Sequence, residues 1–173
     1  SKGFGLAQAA KIAQSVAAEF IDAYFKKFAG VAIFLEKIKK GARENGYVET
    51  ELGRRRYTPD MQSSNVQIAR SAERMAVNMP SQGWAADIMK LAMLKSQKLV
   101  DDFNDASSPV SSTGREAFQA RMILQIHDEL IFEVKESHAE ELAARLKNEM
   151  ESAYTLNVPL TGDVAIGKNW GEI

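Results

Sequence analysis

The chain has 173 residues, of which 45% are hydrophobic and 26% are charged, and its formal net charge is −1. This composition is typical of one globular domain or subdomain that is large enough to bury a core. It contains no apolar run of the ~18 residues that a membrane span needs, no recognisable signal peptide and no cysteine, so we expect no membrane partner, no disulfide and no thiolate metal site. Because the net charge is close to zero, any contact with nucleic acid has to come from local basic patches.

The first part of the chain carries apolar side chains at helical spacing. The spacing predicts helices over Leu6 to Ile12, over Ser15 to Phe28 and over about Val31 to Arg43, with the Gly30 region separating the last two. Aromatic residues recur in these helices, and we expect them to form a core: Phe20, Tyr24, Phe25, Phe28 and Phe34.

A short hairpin is predicted next. Asn45-Gly46 ends the third helix, and Tyr47 to Tyr57 has the pattern of two strands that turn near Leu52-Gly53. The basic cluster Arg54-Arg55-Arg56 in this hairpin has two interpretations. It binds phosphates, or it is a charged turn whose arginines pair with Glu49 and Glu51.

A long helical region with a polar face follows. The pattern predicts a helix from about Asn65 to Asn78, an interruption at Pro80, and a second helix from about Gln82 to Phe103. Four polar residues recur every four positions and would share one face of a continuous helix, although Pro80 should re-aim the last of them: Arg70, Arg74, Asn78 and Gln82. Spacing alone favours a solvated polar face. Residues 104–114 contain four Ser together with Asn, Asp, Pro, Thr and Gly, and this composition predicts a flexible surface loop.

A second hairpin carries the residues with the most chemistry. Met122 to Ile126 and Leu130 to Val134 are predicted strands, and His127-Asp128-Glu129 between them is a predicted tight turn. Two adjacent carboxylates at the tip of a rigid hairpin are placed to bind Mg²⁺, which prefers oxygen ligands. The simpler interpretation is that Asp is a common turn residue and that His127 is an ordinary half-buried histidine.

The last third of the chain completes the predicted fold. Ser137-His-Ala-Glu140 has the form of a capping box that opens a helix to about Tyr154, and Val158 to Ile166 has the pattern of a final strand. Together the elements predict an α+β fold, with an antiparallel sheet that contains the metal-site hairpin and is packed by several helices.

Four blocks of sequence resemble the C-terminal part of the family A DNA polymerases, the bacterial DNA polymerase I group. In family order they are Phe4-Gly-Leu-Ala7, then Gly46-Tyr-Val-Glu-Thr50 with Gly53-Arg-Arg-Arg-Tyr57 and Pro59-Asp60, then Ala72-Glu-Arg74 through Asn78-Met-Pro-Ser-Gln-Gly83 to Ala85-Ala-Asp-Ile88, and then His127-Asp-Glu129. A lone His-Asp-Glu is weak, but the ordered set is very specific. The resemblance implies that residues 1–45 are the helical base of the fingers and that residues 46–173 are the C-terminal part of the palm.

The resemblance also implies an activity and its partners. It implies template-directed nucleotidyl transfer in DNA replication and repair, with two Mg²⁺ ions as cofactors and with primer/template DNA and deoxynucleoside triphosphates as partners. The expected location is a bacterial or phage-type cytoplasm, at the nucleoid. An earlier palm strand with a second essential Asp and a fingers helix for the incoming nucleotide are not found in this chain. We therefore expect it to need an N-terminal remainder of the polymerase and to be inactive alone.

Individual residues match functional positions of the family. Asp128 matches an essential metal-binding carboxylate, Glu129 matches its supporting neighbour, and His127 matches a residue beside the primer terminus. The remaining candidates are expected to contact DNA: Arg70, Arg74, Asn78 and Gln82 on the polar helix face, with Lys2 and Arg55 as further phosphate contacts. Trp84 departs from the family, which commonly has Thr or another small residue there, so its indole either fills a different cavity or stacks near DNA. The alternative function is a non-catalytic DNA-binding or polymerase-complementing module, which would not need Asp128.

Overall fold

A computed structural model describes residues 3–107 and 119–173. Its helices and strands, in chain order, are α1 Phe4–Ala10, α2 Gln14–Lys27, α3 Ala29–Asn45, β1 Tyr47–Glu49, β2 Arg55–Tyr57, α4 Val66–Ser107, β3 Ala120–Ile126, β4 Glu129–Val134 and α5 Ala139–Glu151. Short 3₁₀ turns lie at Pro59–Gln62, Glu136–His138 and Trp170–Glu172. Within the described ranges the strands form two separate antiparallel pairs, β1–β2 and β3–β4. The predicted α+β class is confirmed, and no helix in these ranges has the length and apolarity needed to cross a bilayer.

The chain divides into two compact units, one ending at Ser81 and one beginning at Gln82. The first unit has its own core, made of Ala42, Val48, Met61, Ala72, Ala76 and Met79, with Ile38 packed against it. The second unit has another, made of Val100, Phe103, Ala120, Leu142 and Leu146, with Leu99, Phe132 and Val134 packed against it. The assignment of residues 1–45 to the fingers base and of residues 46–173 to the palm stays a prediction.

The hairpin predicted in the first unit is confirmed. Helix α3 ends because Gly46 adopts a left-handed φ of 76°, which glycine tolerates without a side-chain clash, and its N–H donates to the Ala42 carbonyl at 3.1 Å. Strands β1 and β2 then pair antiparallel, with Tyr47 opposite Tyr57. The turn between them uses Gly53, also at a left-handed φ of 83°.

Helix α4 is continuous from Val66 to Ser107, so the predicted interruption at Pro80 is wrong. Proline has no N–H and cannot donate to the carbonyl four residues earlier. The helix nevertheless continues because Ala76 and Met79 in the turn before the proline are buried and Trp84 in the turn after it packs on Tyr154. Tertiary packing therefore outweighs the loss of one backbone hydrogen bond.

The loop predicted over residues 104–114 is wrong for its first residues, since α4 continues to Ser107. Asn104 is held by the start of β3: its side-chain amide donates to the Ala120 carbonyl at 2.9 Å and its Oδ1 accepts from the Ala120 N–H at 3.0 Å. These bonds order the end of the helix. The rest of the predicted loop lies outside the described residues.

Two predictions near the C-terminus are wrong. Ser137 lies inside a 3₁₀ turn, and His138 precedes α5 without a side-chain cap, so the capping box does not form. Residues 158–166 are not a strand in the described structure; Pro159 lacks an N–H, and a strand needs a partner to accept and donate its ladder bonds. This segment is instead tied to α5, because the Gly162 N–H donates to Glu151 Oε1 at 2.9 Å and its carbonyl accepts from Lys147 Nζ.

The bond between Glu151 and Gly162 predicts an acid-sensitive contact. The Gly162 N–H, with Lys147 nearby, lowers the pKa of Glu151 below its ordinary value of 4.5. Because the folded pKa is the lower one, the stabilisation is complete above the ordinary value and is lost as pH falls through the folded pKa. An NMR titration should therefore give a Glu151 midpoint below 4.5, and Glu151→Gln should remove the accompanying shift of the Gly162 amide. A midpoint at or above the ordinary value would contradict the contact.

The aromatic residues expected in a core are mostly exposed. Val16, Phe20, Tyr24 and Phe28 recur every four residues along α2 and its C-terminal end, and each is exposed, Phe20 by 61%. Phe34 on α3 is exposed as well, and Phe25 is half-buried. The buried residue of α2 is Ala17. We call Val16, Phe20, Tyr24 and Phe28 the apolar stripe of α2. The core prediction is wrong because helical spacing shows that residues share a face and not that the face is covered.

Candidate functional site

The tip of the β3–β4 hairpin is a two-residue turn. Ile126 pairs with Glu129, so His127 and Asp128 form the turn and Glu129 is the first residue of β4. His127 has a left-handed φ of 50°, a region that non-glycine residues occupy at a cost of about 1–2 kcal/mol. The Gln125 side-chain amide donates to the His127 carbonyl at 2.6 Å and helps to hold this turn. The three-residue turn expected from the sequence is therefore one residue shorter.

A β-bulge in β3 makes the two-residue turn possible. Met122 pairs with Phe132 while Leu124 pairs with Ile131, so Ile123 is an extra residue on one strand. If the register of Ala120 opposite Val134 continued unchanged, Ile126 would face Asp128 and one residue would be left for the turn. The bulge shifts the register by one, which places both carboxylates at the tip.

The acidic residues at the tip are available for binding. His127, Asp128 and Glu129 are exposed, and their side chains make no hydrogen bond or ion pair within residues 3–107 and 119–173. At the hairpin base, by contrast, Arg121 donates to Glu133 at 2.6 and 2.9 Å, so this cation does not neutralise the tip.

The carboxylates at the tip are the type of ligand that Mg²⁺ prefers, but there are only two of them. Mg²⁺ usually binds through one or two carboxylates, with water and substrate phosphates as further ligands. Asp128 and Glu129 supply two carboxylates of this kind. Across the described ranges, however, no group of three or more His, Cys, Asp or Glu side chains is arranged to hold a metal ion. A two-metal site therefore needs ligands beyond those that the described residues bring together.

The polar face predicted on α4 is exposed. Arg70, Arg74, Asn78 and Gln82 all lie on the surface of the helix. Their side chains have no hydrogen-bonding or ionic partner in the part of the chain that the structure describes. They are free to contact a ligand, and the same exposure is compatible with a solvated face.

Arg55 is engaged within its own hairpin. It pairs with Glu49, the residue opposite it in the register, and its guanidinium lies 4.5 Å from the centre of the Tyr47 ring. The bond to Glu49 raises the pKa of Arg55 further above its ordinary value. These contacts favour the charged-turn interpretation, since a phosphate would have to compete with Glu49. Lys2 lies outside the described residues.

Comparison with known proteins decides the family. Residues 1–172 match the family model described as DNA polymerase family A. The chain belongs to DNA polymerase family A. The predicted resemblance is therefore confirmed over almost the whole chain.

The relatives of this family A chain are DNA polymerases I. The DNA polymerase I of Mycobacterium bovis is 42% identical over 167 residues, which are 96% of this chain and 17% of that protein. The thermostable DNA polymerase I of Thermus thermophilus is 43% identical over 165 residues, 95% of this chain and 18% of that protein. The chain thus spans less than a fifth of the length of these relatives.

A solved structure in the same family has the same fold. It is the POL domain of Pol1 from M. smegmatis in complex with DNA primer-template and dNTP. The match has a TM-score of 0.78 and 42% sequence identity, and it covers 92% of this chain and 26% of that chain. At this identity and score the likeness extends to fold and family together.

Sequence reasoning missed the residue that attaches the start of α4 in this family A chain. Glu73 accepts from Arg43 at 2.6 Å and lies 3.1 Å from Lys39 Nζ, both on α3. A hydrogen bond to Glu36, helped by Glu73, raises the pKa of Lys39 and keeps it charged. With Glu73 held by α3, its neighbour Arg74 lies exposed. The sequence signal for this contact was the four-residue spacing of Lys39 and Arg43, which places both cations on one face of α3.

Trp84, the departure from the family pattern, packs within the second unit. Its ring meets that of Tyr154 edge to face, with centres 5.9 Å apart and planes at 78°. Its Nε1 is buried and has no acceptor among the described residues. Of the two expectations for Trp84, the one in which the indole fills a space of its own matches these contacts.

Proposed function

We propose that this chain forms part of the active site of a template-directed DNA polymerase. In this proposal the β3–β4 tip holds Mg²⁺ through Asp128, with Glu129 in support, and the exposed face of α4 contacts primer and template. The observation that carries the proposal is a pair of exposed carboxylates, without ionic partners among the described residues, on a constrained hairpin of a family A chain.

In this proposal the hairpin contributes the negative charge of two carboxylates and a constrained backbone that orients them. Asp128 and Glu129 would hold Mg²⁺, and bound Mg²⁺ would supply positive charge that activates the primer hydroxyl and neutralises the triphosphate. Both residues offer anionic oxygens to the metal. The left-handed backbone of His127 and the bond from Gln125 to its carbonyl constrain the backbone of the turn, so they set the direction in which Asp128 and Glu129 leave it. His127 itself lies beside the primer terminus in this proposal.

The face of α4 contributes hydrogen-bond donors. Every correct base pair offers acceptors in the minor groove, at purine N3 and pyrimidine O2. Arg74, Asn78 and Gln82 can donate to these acceptors without reading the sequence, and Arg70 extends the basic face towards the backbone phosphates. Exposure and the lack of internal partners support this role. A polymerase needs such contacts because it has to test pair geometry on any template.

The partner that completes the site is, in this proposal, the N-terminal remainder of the polymerase. The apolar stripe of α2 supports it, because exposed apolar residues in a contiguous row mark surfaces that other polypeptide covers. Deoxynucleoside triphosphates would bind where that remainder meets the hairpin tip.

Substitutions in the apolar stripe should weaken this association. Full burial of an aromatic side chain is worth about 1.5–3 kcal/mol. Phe20 and Tyr24 are 61% and 42% exposed, so covering both buries about as much as one full side chain. Phe20→Ser with Tyr24→Ser should therefore weaken binding to the remainder roughly 10- to 150-fold. Calorimetric titration measures it. Leu94→Ser is the matched control, since Leu94 is 69% exposed and lies on α4. Equal affinities for the stripe variant and the control would exclude the stripe as the contact.

A non-catalytic DNA-binding or polymerase-complementing module is the second candidate. It is favoured by the small number of metal ligands among the described residues. It would use Arg74, Asn78 and Gln82 and leave Asp128 without a role. Primer extension by the assembled enzyme with Asp128→Asn separates the two functions, because the variant loses activity only if the hairpin is the metal site.

A further inference from the structure

Gln82 lies on a turn of α4 that has fewer backbone bonds than its neighbours. Pro80 cannot donate to the Ala76 carbonyl, and helices bend most readily at such positions. The Ser81 hydroxyl donates to the Asn78 carbonyl at 3.4 Å, a long bond that restores little. The direction of Gln82 therefore depends on contacts that hold the helix just after the proline.

Trp84 supplies such a contact on the opposite side of the helix. Residues two apart on an α-helix are separated by about 200° around its axis, so Trp84 points inward where Gln82 points outward. The indole packs edge to face on Tyr154. Its buried Nε1 has no acceptor in the described structure, so ring packing rather than a hydrogen bond holds it.

The surface against which Trp84 packs is itself fixed. Tyr154 follows α5, next to Ala153, which is buried. Lys95 donates to the Ser152 carbonyl at 2.7 Å. Lys95 comes about three helical turns after Trp84 on α4, so the two residues lie on the same side of the helix. They attach one side of α4 to the chain segment that follows α5.

We propose that Trp84 is a positioning residue for Gln82. By packing on Tyr154 it fixes the turn after Pro80, so that the Gln82 amide keeps the direction it needs to reach a minor-groove acceptor of the primer-terminal pairs. This inference rests on the proposed function. Trp84 acts through Gln82 and does not touch the DNA.

The test is a double-mutant cycle in the assembled polymerase, with single-turnover extension rates measured on all four template bases. Gln82→Ala should slow extension roughly 2- to 12-fold, the loss expected for one hydrogen bond. Trp84→Ala should slow it by a similar factor on every template. The double variant should be no slower than Gln82→Ala alone, and Trp84→Phe, which keeps a ring against Tyr154, should recover most of the rate.

Two further variants separate positioning from general destabilisation. Phe103→Leu weakens the core of the second unit, and its effect on the rate should multiply with that of Gln82→Ala. Tyr154→Ala removes the ring partner while keeping the indole, and it should reproduce the Trp84→Ala cycle even if Trp84→Ala does not fold.

The outcomes distinguish this inference from the proposed function. If Trp84→Ala and Tyr154→Ala both multiply with Gln82→Ala, or if Gln82→Ala does not slow extension, the positioning role is overturned while the hairpin role stands. If Asp128→Asn leaves extension unchanged, the hairpin role in the proposed function fails, while the cycle between Trp84 and Gln82 still tests the positioning role.

Discussion

Asp128→Asn should abolish primer extension by a polymerase that contains this chain, while primer/template binding should survive or become tighter. The amide keeps the shape of the side chain and removes the negative charge that would balance the metal ions. Because bound metal ions contribute several kcal/mol of charge stabilisation to such reactions, the expected loss is at least ~10³-fold. Single-turnover extension with Mg²⁺ gives the rate, and titration of labelled DNA gives the affinity.

Two neighbouring variants make this result specific. Glu129→Gln should cost less than Asp128→Asn, since Glu129 has the supporting role. Glu133→Gln makes the same chemical change on the same hairpin and breaks only the exposed pair with Arg121, which is worth at most about 1 kcal/mol. Near-normal turnover in both tip variants would show that the hairpin is not the metal site.

We expect the chain by itself to give no primer extension with Mg²⁺ and all four nucleotides, and we expect extension once the preceding part of the polymerase domain is added. The reason is the ligand count: the described residues bring two carboxylates to the tip and no third metal ligand. Gel-resolved extension of a labelled primer measures the product. Extension by the purified chain alone that disappears with Asp128→Asn would contradict the idea that this chain holds part of a site.

The features predicted correctly are those set by local chemistry. Glycine at position 46 ends α3 because few other residues adopt its backbone conformation without strain. The two β-prone apolar runs on either side of His127-Asp128-Glu129 predict two strands and a turn, and the carboxylates at this turn are exposed. The family motifs suggest residue roles, which no local pattern contains and which stay predictions.

The features predicted wrongly depend on distant parts of the chain. Pro80 does not break α4, since packing of the turns on either side is invisible in the local pattern. The sequence of residues 158–166 has the pattern of a strand. A strand forms only where a second strand has an unpaired edge to hydrogen-bond with, and here Gly162 bonds to Glu151 of α5 instead. The apolar stripe of α2 has a clear helical period, but the period does not show whether another surface covers the stripe.

The bulge at Ile123 determines how many residues are left for the turn. An odd number of residues lies between the paired Ala120 and Val134, so one of them has to stay unpaired if the turn is to have two residues. Any side chain at position 123 can stay unpaired, so substitution preserves that count. If Ile123 were paired in the regular register instead, the tip would have to close on His127 alone or open the pair of Ile126 with Asp128 and close on three residues. In the second case His127 becomes the middle of a wider loop and Asp128 its last residue, so the direction of Asp128 changes. The geometry of the carboxylate tip therefore depends on one residue that is left out of the ladder near the middle of β3.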